Sequence, residues 1–313
     1  ISRDSASLRG GAKSRYYPVE LSDILRTIRE VPGRYAIVGI PCFIKAVRLH
    51  CMQDPVLADR IAYTLGLFCG HMKSARLAES FAWQLGVDLD EVDFLDYRVK
   101  NPHRPANWYR AQLRLRDGTT RERDWWHLVD GDWGAGFFQN AACNFCDDVV
   151  AETADISFGD AWLEPYSSDG RGTNVVIVRK PELLEIARAG MGDGRVALTE
   201  VDKDFVVATQ AAGFRQRREG LAFRLALPRL GIKPRKRVNA SWRGLPTRRL
   251  LVYAMRYSLS SWSHRMFWLA RKMRQPRLYI LWAKGAKSSY EGLAYARGAF
   301  GRVLRALSLG NSD

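Results

Sequence analysis

The residues with the clearest chemical potential are cysteines. Cys143 and Cys146, in "CNFCDD", have the C-x-x-C spacing that lets one turn present two thiolates to a single metal centre. Cys42 and Cys69 each close an apolar, strand-like run, "RYAIVGIPC" and "RIAYTLGLFCG", beside Pro41 and Gly70. A turn at such a place exposes backbone amides and a thiolate together. One pair and two single residues make four thiolates, which suits either a tetrahedral zinc site or an iron–sulfur cluster. Successive gaps of 27 and 74 positions fit a cluster in an α/β body better than a zinc knuckle, whose ligands lie close in sequence. Ordinary buried thiols are a third reading, since cysteine is among the most buried residue types. Spacing alone leaves all three open. Cys51 lies on a helical run without a partner nearby and reads as structural. An odd set of five cysteines with no secretory apolar run makes metal or redox use in a reducing compartment the expectation, ahead of a disulfide framework.

Acid–base candidates stand close to these thiols. Asp147 and Asp148 follow Cys146, while Asp155 and Asp160 flank "ISFG". Alternation along a strand puts Asp155 and Ser157 on one face and delivers Asp160 at the strand end. His71, two residues beyond Cys69, and His127 are possible proton donors, and Asp160 and His71 are kept as catalytic candidates. Each alone is more often a turn or surface residue. No Ser-His-Asp order, glycine-rich phosphate loop or H-E-x-x-H signature occurs, so hydrolase and kinase chemistry gets little weight.

The elements around these residues follow from periodicity. "PVELSDILRTIREV" has helical apolar spacing, with Ser22 or Asp23 as N-cap. "FIKAVRLHC" and "SARLAESFAWQLGV" read as helices. "AQLRLRDGTTRERDWW" changes to a period of two and turns at Asp117-Gly118. "ADISFGDAW" and "TNVVIVRK" read as strands, and "KPELLEIARAG" as a helix closed by Gly190. The expected fold class is α/β, a mixed α+β body followed by a basic, mostly helical C-terminal region. The expected boundaries are 1–214 and 215–313.

Blocks along the chain resemble a known family. "KSRYYPV", "VGIPCFIKAVR", "GLFCGHMKS", "CNFCDD", "ADISFGDAW" and "GTNVVIVR" occur in that order over roughly residues 11–215. They look like the coenzyme F420 hydrogenase/dehydrogenase beta subunits. The Trp-rich "DWWHLVDGDWGAGFFQNAAC" and the basic tail resemble the subgroup encoded beside polysaccharide-biosynthesis genes. The resemblance implies an FAD close to a 4Fe–4S cluster, with Cys42, Cys69, Cys143 and Cys146 at the cluster positions. It places Lys13, Ser14, Tyr16 and Tyr17 where the family holds part of the flavin, and a cation with hydroxyls suits a pyrophosphate. It further implies ferredoxin or a redox partner subunit as electron donor. Family members carry an upstream flavin-binding segment and often ferredoxin-like cysteines, neither of which follows Ile1. A true start at Ile1 and a chain cut from a longer one both fit. Position 40 is Ile, where threonine is common before the Pro-Cys pair.

Charge is divided along the chain. Its formal value is +16, yet residues 215–313 hold 23 Lys and Arg against three acids, leaving 26 basic and 30 acidic residues in 1–214. Residues 246–274 mix aromatic, aliphatic and cationic side chains at helical spacing. Packing on the body is the first expectation, an anionic membrane surface the second and nucleic acid the third. No apolar run reaches the roughly 18 residues of a membrane span. The expectation is an iron–sulfur flavoprotein oxidoreductase, cytoplasmic or peripheral at the inner membrane face and open to homo-oligomerisation. The alternative is a zinc-stapled scaffold without catalysis, its basic tail holding a membrane or a partner.

Overall fold

A computed structural model describes residues 1–228 and 234–306. The basic region expected over 215–313 therefore lies outside the described residues at 229–233 and 307–313. Contacts divide the chain into two units. One comprises Ile1–Leu8, Val19–Gly70 and Cys146–Arg217; the other comprises Arg9–Pro18, His71–Phe145 and Arg218–Asp313. One cut, after Arg217, falls close to the change in charge at Arg215. The second unit also takes residues 71–145 from the acidic part of the sequence.

Seven strands run in chain order among the described residues: β1 (Tyr35–Gly39), β2 (Ile61–Leu67), β3 (Val92–Lys100), β4 (Tyr109–Leu115), β5 (Thr120–Asp124), β6 (Ile156–Asp160) and β7 (Asn174–Val178). In the first unit the sheet order is β1-β2-β6-β7. The first three strands are parallel and β7 runs antiparallel to β6. Parallel strands need a crossover, which the helices Pro41–Cys51 and Pro55–Arg60 supply between β1 and β2. Pro41 ends the first strand because it has no amide to donate, and it suits the first helical turn. The extended Ile40 accepts from the amides of Phe43 and Ile44 at 2.9 and 3.1 Å. Asp54 caps the next helix by accepting from Val56 and Leu57 at 3.0 and 3.2 Å. Ile44, Val47 and Leu57 are buried with Ile28 of the helix Ser22–Glu30 and with Ile37 and Ile61 of β1 and β2.

Within the first unit, two glycines mark the closest packing. Gly66 of β2 pairs with Gly39 of β1. A Cβ added to Gly66 would meet the Cβ atoms of Ala151 and Ala154 at 2.3 and 2.9 Å. A Cβ on Gly159 would enter the Phe68 ring at 2.0 Å. Both glycines are required because another chain segment occupies the space of a side chain.

Two helix boundaries differ from expectation. Neither Ser22 nor Asp23 is the N-cap of the helix Ser22–Glu30. Leu21 holds that position without a side-chain cap, since the Ser22 amide and hydroxyl both donate to Glu20 and Asp23 pairs with Arg26. The helix Pro181–Gly192 runs through Gly190 instead of stopping there. Gly190 is buried against Val196, whose Cγ2 would lie 3.1 Å from an added Cβ. Close approach, not capping, explains that glycine.

In the second unit, β3, β4 and β5 form an antiparallel sheet. The hairpin turn is the expected one. Gly118 has φ +84° and the Asp117 carboxylate accepts from the Thr119 amide and hydroxyl, both at 2.8 Å. The helices Arg76–Gln84, Thr247–Lys272 and Pro276–Tyr295 bury Leu77, Phe81, Phe267, Ala270 and Tyr279 together with Phe137 and Phe138. The basic helices thus pack on residues 71–145, as the first expectation had it. Asp130 is fully buried among them and accepts from Ser80, Gln84 and Tyr279. All three of these groups donate to the carboxyl, which is what a buried acid requires.

Gly66→Ala tests the close packing in the first unit. We expect a loss of about 1–3 kcal/mol in urea unfolding, the range for overpacking a filled core. An unchanged midpoint would mean that the Ala151 segment yields freely.

Candidate functional site

The parallel strands β1, β2 and β6 of the first unit end on one edge of their sheet. In open α/β sheets this carboxyl edge is where ligands collect. Cys42 lies three residues beyond Gly39 and Cys69 three beyond Gly66, and those glycines are register partners. Both thiols thus follow neighbouring parallel strands at their carboxyl edge, Cys42 in the first turn of a helix and Cys69 in irregular chain. Asp160 ends β6 on the same edge, opposite Asn174 of β7.

Cys42 is exposed at the second position of the helix Pro41–Cys51, where helix amides favour negative charge. Cys69 is half-buried and its amide donates to the Val149 carbonyl at 2.9 Å. The buried Arg217 holds the carbonyls of Cys69, at 3.2 Å, and Gly70. Cys146 is half-buried with its Sγ 3.5 Å from the Asp148 carbonyl. Asp148 shapes the turn that follows by accepting from Val150 and Glu152, both at 3.0 Å. Cys143 belongs to the second unit. It is buried in the turn Ala141–Phe145 and its Sγ accepts from the Met72 amide at 3.2 Å. None of the five cysteines is in a disulfide. Cys51 ends the helix Pro41–Cys51 and packs against the first unit's core, where burial pushes its thiol pKa up.

The donor set suits an iron–sulfur cluster, whereas its arrangement is not a ready cage. Among the described residues no group of three or more His, Cys, Asp or Glu side chains is gathered to hold a metal ion. Asp155 is a structural residue. Its carboxylate accepts from the Thr64 amide at 2.7 Å and hydroxyl at 3.0 Å and pairs with Arg48 at 2.6 Å. Burial pushes that carboxyl up, but these donors outweigh it and hold the pKa below its usual range. Asp160 is half-buried, and its backbone carbonyl accepts from Gln210 at 2.6 Å. His127 is exposed in the turn Trp125–His127.

His71 lies in the second unit, in a buried polar cluster that periodicity does not signal. Its ring stacks on Trp133 with centroids 4.5 Å apart, and Arg256 Nη2 faces its Nδ1 at 3.3 Å. Arg256 also donates to the Gly134 carbonyl and to Gln139. Lys73 is buried, with Nζ 4.6 Å from the Trp133 ring and 2.6 Å from the Phe137 carbonyl. Burial, then the nearby Arg256 charge, pushes its ammonium pKa down to about 7, against the pull of Asp130 and Asp132. Burial raises Asp130 in turn. The missed signal is the alternation in "HMKS" beside the acids of "DGDWG": a lysine two residues from a buried histidine shares its inward face.

The flavin candidates also lie in the second unit. Lys13 has φ +81°, a left-handed backbone unusual for a residue with a Cβ, and pairs with Asp96. Arg98 donates to the Ser14 hydroxyl at 3.2 Å. Tyr16 is committed to an aromatic cluster with Tyr97, Trp125 and Trp133, at centroid distances of 5.3, 5.8 and 4.7 Å. Tyr17 is about half exposed. Lys13 pairs with Asp96, which also accepts from the Arg98 amide, and Arg15 lies near the same carboxylate.

Lys73 yields a pH prediction. The unfolded chain keeps this proton to about pH 10.4, while the folded one releases it at about 7. Between these values the unfolded state binds more protons, so stability contributed here rises with pH. Urea midpoints of wild type and Lys73→Met, followed from neutral to alkaline pH, should shift steadily in favour of wild type. Parallel curves would contradict the burial of a titrating lysine.

A family model for the C terminus of the coenzyme F420 hydrogenase/dehydrogenase beta subunit matches residues 33–204. No curated protein matches the chain. Among solved structures, a chain of the F420-reducing NiFe hydrogenase complex from Methanosarcina barkeri is 18% identical, covering 68% of this chain and 69% of that one. Its TM-score is 0.45, a likeness too slight to carry argument. The family match spans more than half of the sequence, and the chain belongs to the family defined by the C-terminal part of coenzyme F420 hydrogenase/dehydrogenase beta subunits.

Proposed function

We propose that this chain is an oxidoreductase component that passes electrons between a one-electron donor and an organic two-electron acceptor. The observation that carries the reading is that Cys42 and Cys69 each follow, by three residues, register-paired glycines of adjacent parallel strands. Family membership supports a redox role. Cys42, Cys69, Cys143 and Cys146 would ligate a 4Fe–4S cluster, and Lys13, Ser14, Tyr16 and Tyr17 would border an FAD. When bound, these groups supply one-electron and two-electron chemistry respectively. Gathering of the sulfurs falls to metal binding, which commonly completes the folding of its own site.

The chain's own residues have definable parts in this scheme. Arg217 fixes the backbone after β2 by holding the Cys69 and Gly70 carbonyls, and so orients that thiol. The Met72 amide donates to the Cys143 sulfur and stabilises a thiolate there. A guanidinium can only donate, so Arg256 makes Nδ1 of His71 the acceptor and leaves the ring proton on Nε2. His71 Nε2 and the Asp160 carboxyl are the proton-handling candidates. The acceptor class that the family name suggests is a deazaflavin, and a sugar-pathway intermediate fits the polysaccharide-associated subgroup. Ferredoxin or a partner subunit would supply electrons on the cytoplasmic side.

Anaerobic purification of the chain and of single cysteine variants tests the scheme. Wild type should show a broad visible absorption that dithionite bleaches. Cys42→Ser, Cys69→Ser, Cys143→Ser and Cys146→Ser should each lower bound iron more than twofold, with Cys51→Ser near wild type. A colourless, zinc-loaded wild type would overturn the redox reading in favour of a structural staple.

A further inference from the structure

The helix Thr247–Lys272 turns Tyr253, Ser260, Ser263, Phe267 and Ala270 inward. Its other side carries a second stripe. Leu251, Met255, Ser258, Trp262, Arg265 and Leu269 recur at alternating steps of four and three and so share one face. Leu251, Trp262 and Leu269 are exposed, Trp262 at 48%. On the neighbouring helix Pro276–Tyr295, Leu281 is exposed at 70%, one position before Trp282. Between the two helices lies a groove of about 410 Å³ lined by Met255, Ser258, Leu259, Trp262, Trp282 and Ala286.

Cations frame this apolar face. The Arg265 guanidinium lies 5.2 Å from the Trp262 ring centroid, and the Lys272 ammonium 5.2 Å from that of Trp268, itself 55% exposed. Between Glu219 and Glu291 the sequence holds 17 Lys and Arg and no acid. We infer that this face docks on an anionic lipid surface, with Leu251, Trp262 and Leu269 at the acyl boundary, Trp268 at its flank and the cations among the headgroups. Tryptophan with Arg or Lys alongside is the pairing that suits such an interface. A second copy on the same face would oppose like charges without an acid to relieve them. Nucleic acid would match the cations but leave the leucines and the groove against water. No helix among the described residues is long and apolar enough to cross a membrane, so contact is in the interface plane. The inference is independent of the redox reading.

Flotation of the full chain with phosphatidylcholine vesicles, with and without phosphatidylglycerol, tests it. Only the anionic vesicles should bind, less so at high salt. Arg265→Gln with Lys272→Gln should lower partitioning at least about tenfold, since each cation near an anionic surface contributes about a factor of five. Trp262→Ser with Trp268→Ser should lower it as well. Ser258→Glu, which adds one acid at an exposed position and removes no packing, guards against a folding artefact and should act in the same direction. Equal binding to neutral vesicles, no binding at low salt, or variants that all partition like wild type would overturn the inference. So would stronger binding to duplex DNA that the tryptophan variant leaves unchanged.

Discussion

The first unit depends on the missing side chain of Gly66. An added Cβ would lie 2.3 Å from that of Ala151, so β2 and the segment leading from Cys146 to β6 touch nearly backbone to backbone. The same residue pairs in register with Gly39. One point of contact thus aligns three stretches of chain, those bearing Cys42, Cys69 and Cys146. Asp155 strengthens the arrangement by joining β2 through Thr64 and the helix Pro41–Cys51 through Arg48. A half-buried, multiply hydrogen-bonded carboxylate of this kind specifies register, because slipping by one residue would leave its donors and acceptors unmatched. Phe68 over Gly159 repeats the close approach one strand further along. These glycines, not the cysteines, decide where the thiols can go.

The second unit is organised around buried polar groups. Asp130 joins the helix Arg76–Gln84, through Ser80 and Gln84, to the helix Pro276–Tyr295, through Tyr279. Burial and the Asp130 charge drive the Tyr279 hydroxyl pKa well up, so this tyrosine remains a donor. Arg224 and Ser260 reach Asn144 from the other helices of the basic region. The positive charge of that region serves several ends, among them holding the carbonyls of Trp126, Leu128 and Gly134 through Lys287 and Arg256. Arg224 orders the turn that carries Cys143, and Arg265 and Lys272 lie against outward tryptophans.

Much of the local structure was legible because its causes are local. Apolar runs stopped by Pro41 and by Gly70 read correctly as strands, and Asp117-Gly118 read correctly as a hairpin. The neighbourhood of β2 and β6 was not legible, since pairing across some ninety residues leaves no period in the sequence. Gly190 misled because a glycine near a helix end usually caps it, whereas here it admits Val196. Lys73 was hidden because a lone lysine is normally solvated, and only Trp133 and the Phe137 carbonyl make its burial tolerable. Tyr16 was read through its hydroxyl, while the structure engages its ring. The thiols were found by spacing, but which of them share a sheet edge depended on strand order.

We propose that these strand ends and turns present thiolates for an iron–sulfur cluster. The most direct measurement is the iron, acid-labile sulfide and zinc content of the anaerobically purified chain. The account predicts about four irons and four sulfides per chain, the complement of a Cys₄-bound 4Fe–4S centre. About one zinc without sulfide would contradict it and leave the cysteines as a structural staple.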